Sequence, residues 1–98
     1  MSLRIVFNAA AQEEYDAAAL WYEGRQMGLG FAFAERIENV LGAIAHQPDR
    51  CPVIIGDVRE APVSRFPYCI YYRVRSNQVV VIAIFHTSRD PQVWESRI

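Results

Sequence analysis

The stretch Phe85-His86-Thr87-Ser88-Arg89-Asp90-Pro91 holds the residues best placed for chemistry. It leaves the end of a strand and enters a helix start, where polar groups reach solvent from a rigid support. There His86 could carry a proton and Arg89 could clamp an anion. The structural alternative is that Arg89 pairs with an acid while His86 and Asp90 organise the loop. A second group, Arg59, Arg65, Arg73 and Arg75, lies on neighbouring strands and could form a modest cationic surface. Strand arginines also serve as solvated or ion-paired residues, so that surface is weighed against simple solvation. Other candidates read as structural. Glu13 and Glu14 are adjacent on a helix and point in different directions, which suits a solvated face near the positive end of the helix dipole. His46 falls in a last helical turn, and Cys69 alternates with Ile70 in a strand. A nucleophilic thiol would need a neighbouring base or cation. The chain has no phosphate-binding glycine loop, zinc spacing or G-x-S-x-G elbow. Cys51 and Cys69 form no metal or redox pair, so reduced thiols and no metal or cofactor are expected.

The elements that must position these residues follow from the apolar spacing. Leu3 to Phe7 is a β-branched and aromatic run, read as a first strand. Asn8 suits a helix N-cap, and Ala11, Tyr15, Ala18 and Tyr22 form one helical stripe. The many alanines of this helix suggest close approach by a neighbour, and Gly28 and Gly30 are expected to end it. Phe33, Ile37, Val40, Leu41 and Ile44 form the stripe of a second helix from about Phe31 to His46, stopped by Pro48. Two such helices joined by a few residues make an antiparallel hairpin. Gln47 to Asp57 holds two prolines and a glycine and reads as loop. Val58 to Phe66 reads as a strand that Pro62 confines to an edge or a bulge. Tyr68 to Arg75 alternates cleanly, and Ser76-Asn77 reads as a two-residue turn. Val79 to Phe85 is apolar without interruption, as in a strand covered on both faces. Asp90-Pro91 opens a short last helix, Pro91 to Ile98, carrying Trp94. The order β-α-α-β-β-β-α predicts an α+β fold: a helical hairpin on a mainly antiparallel four-stranded sheet, with a short C-terminal helix.

Size and charge set limits on both readings. Ninety-eight residues at 52% hydrophobic content make one domain, residues 1–98, and a chain this size hides roughly 60–65% of its unfolded surface. The 12% aromatic share argues against disorder. No run approaches the ~18 apolar residues of a membrane span. Met1-Ser2-Leu3-Arg4 holds no long apolar signal segment, so a cytoplasmic protein is expected. All ten basic residues are arginine; four stand against seven acids in residues 1–50, and six against four in residues 51–98. The second half is mildly cationic, yet a pI near 6.1 is too low for binding driven by phosphate neutralisation.

The strand motif Phe66-Pro67-Tyr68-Cys69-Ile70-Tyr71-Tyr72-Arg73, the run Val79 to Phe85, and His86-Thr87-Ser88-Arg89-Asp90-Pro91 with Trp94 resemble the RelE/ParE toxin superfamily of type II toxin–antitoxin, or plasmid-stabilisation, modules. The resemblance covers essentially the whole chain, and its C-terminal third is the most specific part. RelE-type members cleave mRNA in the ribosomal A site without metal, using lysines, arginines and a C-terminal tyrosine. Attack by a 2′-hydroxyl needs cations for the developing charge and a proton acceptor and donor.

Carried across, that branch's lysines fall at about Glu60 and Pro62 and its strand arginine falls at Cys69. Its tyrosine falls near Trp94 or Glu95; only the arginine after the last strand is matched, by Arg89. Each donor lost from such a site costs about 10²–10³ in rate. The resemblance therefore implies the ParE-like branch, which acts by protein contact on DNA gyrase, and a cognate antitoxin as partner. The ribosome and its mRNA rank behind, and the alternatives are a RelE-like endoribonuclease using Arg89 and His86 or an inert antitoxin-binding member. Antitoxin tails in this group fold into a groove between helices and sheet. Trp21, Tyr22 and Phe33 on the hairpin, Trp94, and Arg59, Arg65, Arg73 and Arg89 are the expected contact residues. No residue pattern sets an oligomeric state.

Overall fold

A computed structural model describes residues 2–98. Eight elements follow in order: β1 (Arg4–Phe7), α1 (Ala9–Arg25), α2 (Leu29–His46), β2 (Val53–Ile55), β3 (Val58–Pro62), β4 (Tyr68–Arg75), β5 (Gln78–His86) and α3 (Gln92–Glu95). The strands form one mixed sheet in the order β1-β5-β4-β3-β2. β1 runs parallel to β5, and the other pairs are antiparallel. The expected class and hairpin stand. The sheet has five strands rather than four, because Val53–Ile55 pairs with β3 inside the stretch read as loop. Three residues between a proline and a glycine are too few to show alternation, which is why the strand is invisible in sequence.

Local signals account for most boundaries. Asn8 is the N-cap of α1, its Oδ1 accepting from the Ala11 amide at 2.8 Å. Ser76 and Asn77 both take positive φ, 51° and 61°, as a two-residue hairpin of type I′ requires. Gly28 is left-handed at φ 86° and starts α2. Gly30 does not end a helix as expected; it lies within α2, where an added Cβ would stand 2.4 Å from the Ala19 carbonyl oxygen. The hairpin closes there because glycine lets the two backbones meet. The last helix is a single turn, shorter than the Pro91–Ile98 reading. Pro62 sits at the end of β3. The Glu60 amide on the same side donates to Pro52, and two residues later β2 offers nothing for the missing N–H to reach.

Two apolar layers sandwich the sheet. On the hairpin side Phe33, Ile37, Leu41 and Ile44 pack with Ile70, Tyr72, Val79, Val81 and Ile84. On the other side Val58, Cys69, Tyr71, Ile82, Ala83 and Phe85 pack with Trp94 of α3. Burying each large side chain contributes about 1.5–3 kcal/mol. β5 keeps both layers supplied through a bulge: Tyr71 faces Ala83 while Tyr72 faces Val81, leaving Ile82 unpaired. The extra residue shifts the alternation, so Val81 and then Ile84 face the hairpin while Ile82 and Ala83 share the α3 side. Among the described residues no helix is long and apolar enough to cross a membrane.

Candidate functional site

β5 carries His86 at its end, and the turn beyond it carries Arg89. The chain reaches that turn rigidly, since the Thr87 amide donates to the Pro67 carbonyl at 2.9 Å and the Arg89 amide to His86 at 3.1 Å. Opposite stands the flank of α1. Between them lie two adjoining hollows of about 500 and 540 Å³ that share Trp21, Tyr68, His86 and Arg89. One continues along α1 past Glu14 to Arg97, and the other ends at Tyr22 and Pro67.

Each shared side chain has a defined setting. Trp21 is 57% exposed and lies edge-on to Tyr22, with the Arg25 guanidinium 4.8 Å from its ring centre. The His86 Nδ1 accepts from the Ser88 amide at 3.0 Å, so the proton of the neutral ring sits on Nε2. Its ring meets Tyr68 edge-on at 5.2 Å. Arg89 lies over Phe85 at 4.5 Å and has no carboxylate partner among the described residues. Burial raises the Tyr68 hydroxyl above its ordinary pKa, so it stays protonated. The hollows thus offer aromatic faces, a polar imidazole and one uncommitted cation. That is chemistry for gripping an apolar anchor and an anion, with no activated nucleophile in reach.

The expected contact residues divide. Trp21, Tyr22, His86 and Arg89 come together, although Tyr22 is also half core, packed at 5.1 Å on Phe33 and 4.9 Å on Phe66. The strand arginines do not join them. Arg59 turns toward the end of α2, donating to the carbonyls of Asp49 and Cys51 and pairing with Asp49. Arg73 and Arg75 both hold Asp57, whose carboxyl is kept below the usual carboxylate range chiefly by the hydrogen bond from Arg75. Arg65 occupies a left-handed turn position at φ 73°. Trp94 is corrected outright: it is 2% exposed and stacked on Tyr71 at 4.0 Å, so it supports the sheet from behind rather than presenting a face. Phe33 is likewise fully buried.

Of the positions corresponding to the RelE-type catalytic set, Arg89 lines these hollows, whereas Glu60, Cys69 and Trp94 lie apart from them on the α3 side of the sheet. Glu60 accepts from the Tyr71 hydroxyl at 2.8 Å, and Tyr71 carries Trp94 on its ring. Burial pushes the Cys69 thiol up, away from the thiolate a nucleophile needs. A stacked indole, an engaged carboxylate and a protonated thiol fill the place where cations would have to gather.

Glu14 and Arg97 were missed as a pair. Glu14 reads from sequence as solvated; in the fold it is largely buried and grips Arg97 in a two-pronged contact at 3.0 and 2.7 Å. The spacing held the signal, since Ala10, Glu14, Ala17 and Trp21 form a second helical stripe beside the core stripe.

The ParE toxin model, of the type II parDE toxin–antitoxin system, matches residues 5–91. No curated protein matches the chain. Among solved structures, a chain of the chromosomal ParDE toxin–antitoxin system from P. aeruginosa has the same fold at a TM-score of 0.74. It is 15% identical, and the alignment covers 89% of this chain and 98% of that one. With the family match spanning nearly its whole length, the chain belongs to the ParE toxin family of type II toxin–antitoxin systems.

Proposed function

We propose that this ParE-family chain is a toxin acting in the cytoplasm by protein contact, with DNA gyrase as its target, and that a cognate antitoxin holds it in check within a plasmid-stabilisation module. One observation carries the reading. The face that would need a cation cluster for RNA cleavage holds the Glu60–Tyr71–Trp94 stack. Transition-state charge at phosphorus needs preorganised donors there, and a carboxylate repels phosphate. The opposite side of the molecule offers Trp21, Tyr68, His86 and Arg89 around open hollows, a recognition surface rich in the residue types that anchor protein interfaces.

Expression alone should arrest growth, and co-expression with the product of the adjacent reading frame should restore it. Purified toxin should inhibit gyrase supercoiling and leave ribosome-bound mRNA intact. Cleavage of that mRNA, abolished by Arg89→Ala, would replace this reading with a ribonuclease. Absence of growth arrest with retained antitoxin binding would leave an inert family member.

A further inference from the structure

Of the sheet's two outer strands, β1 starts at exposed Arg4 and keeps Ile5, Val6 and Phe7 half-buried. β2 is different. Val53, Ile54 and Ile55 are 49%, 42% and 43% exposed, and the strand holds neither charge nor proline. Charge, proline and cover are the usual guards of an open edge, so β2 stands unguarded. Its backbone is open as well. The Glu60 amide donates to the Pro52 carbonyl, so Pro52 turns toward β3. Val53, the next residue, therefore turns its own amide and carbonyl outward, and beyond it the register with β3 slips. Val53 pairs with Arg59, and Arg59 with Tyr72, which packs under the hairpin; the Val53 side chain thus lies on the hairpin face. On that face a groove of about 490 Å³ separates α2 from the β2–β3 edge, lined by Val40, Ala43, Ile44, Pro52 and Ala61.

We propose that β2 is a self-association edge, through which two copies of this chain pair antiparallel about a two-fold axis at Val53. At the axis each Val53 amide donates to the other copy's Val53 carbonyl, a closed pair of bonds that an identical antiparallel strand completes. The two Val53 side chains stand side by side between the two grooves, and each copy covers apolar surface left open on the other. Charge favours the same occupant. The chain enters β2 from Asp49, whose carboxylate is 91% exposed and held loosely by Arg59 at 3.8 Å. It leaves β2 at Asp57, where Arg73 and Arg75 outnumber the single acid. The two-fold sets Asp49 of one copy beside the Asp57–Arg73–Arg75 end of the other, acid against surplus cation, at both ends of the contact. Parallel pairing would set like ends together. A two-fold also closes at two copies and builds no fibre. The hollows around Trp21 and Arg89 lie by β5, toward the other side of the sheet, so both copies keep them free. Self-association is therefore independent of the toxin reading.

So short a contact makes a weak dimer. Sedimentation of the purified chain between about 10 μM and 1 mM should show a reversible monomer–dimer equilibrium. Val53→Lys places like charges opposite each other at the axis and should raise the dimer Kd by about tenfold or more. Asp49→Arg should raise it several-fold. Both side chains are exposed, so circular dichroism should show the fold unchanged in each variant. Hydrogen exchange reads the geometry directly: the Val53 amide should slow as concentration rises through the Kd. A chain that stays monomeric to the top of that range overturns the proposal. So does a dimer that Val53→Lys leaves intact, or one that forms with Val53 exchange unchanged. A monomer whose binding to the product of the adjacent reading frame is lost in Val53→Lys would overturn it too, and give the edge to that partner.

Discussion

Single residues fix the ends and edges on which the site depends. Asn8 stops β1 from following β5 further, because its side chain caps α1 while its own amide is spent on Val81. Asn8→Ala loses the cap and should cost about 1 kcal/mol in urea unfolding. Glu14 serves three donors at once: two guanidinium nitrogens and the Ile84 amide. The same contact raises the Arg97 pKa above its ordinary value. Glu14→Gln keeps the shape and loses the charge, and should destabilise by about 1–3 kcal/mol, the range for a lost charged hydrogen bond. A neutral result would mean that solvent replaces the pair at no cost.

At the scale of elements, the hairpin and the bulged strand do the positioning. α1 and α2 close on each other at Gly30, where no side chain fits. Gly30→Ala meets the Ala19 carbonyl at 2.4 Å and the Glu23 Cβ at 2.9 Å, and overpacking of this kind costs about 1–3 kcal/mol. Gly42, inside α2, has nothing within 4 Å of an added Cβ. Gly42→Ala should therefore stabilise by about 0.5–1 kcal/mol through helix propensity. Thermal melts of the two variants should move in opposite directions. The helix stripes and the alternation of Tyr68–Arg75 were legible because burial on one face repeats with the element's own period. β2 and the Ile82 bulge were not, because three residues carry no period and an apolar run without interruption hides a slipped residue.

Across the whole molecule, the five tyrosines at positions 15, 22, 68, 71 and 72 all have hydroxyl pKa values raised, with burial the leading cause in each. For Tyr15 and Tyr71 the neighbouring carboxylates of Glu38 and Glu60 add to it. The sign follows from linkage. Above about pH 10, the ordinary tyrosine value, the unfolded chain loses these protons while the folded one keeps them. The unfolded state then binds fewer protons and stability falls as pH rises. Tyrosinate absorbance should therefore appear together with loss of the fold, in one cooperative step. Gradual ionisation from pH 10 with the fold intact would contradict it.

The contact residues expected from sequence divided for a reason that operates at this same scale. Trp21, His86 and Arg89 are local to a helix flank and a strand end, so their exposure followed from position. Arg59, Arg73 and Trp94 depended on partners distant in the chain: Asp49, Asp57 and Tyr71. Residue order alone determined the α+β class, the helical hairpin and the two-faced β4, since each is written in short-range periodicity, caps and turns, while the family showed as a resemblance in the motifs Phe66–Arg73 and His86–Pro91. Tertiary structure alone decided which arginines are committed to acids, that Trp94 lies beneath the sheet, and that Glu14 and Arg97 meet 83 residues apart. Those outcomes are set by which surfaces the sheet brings face to face, and no local pattern encodes that.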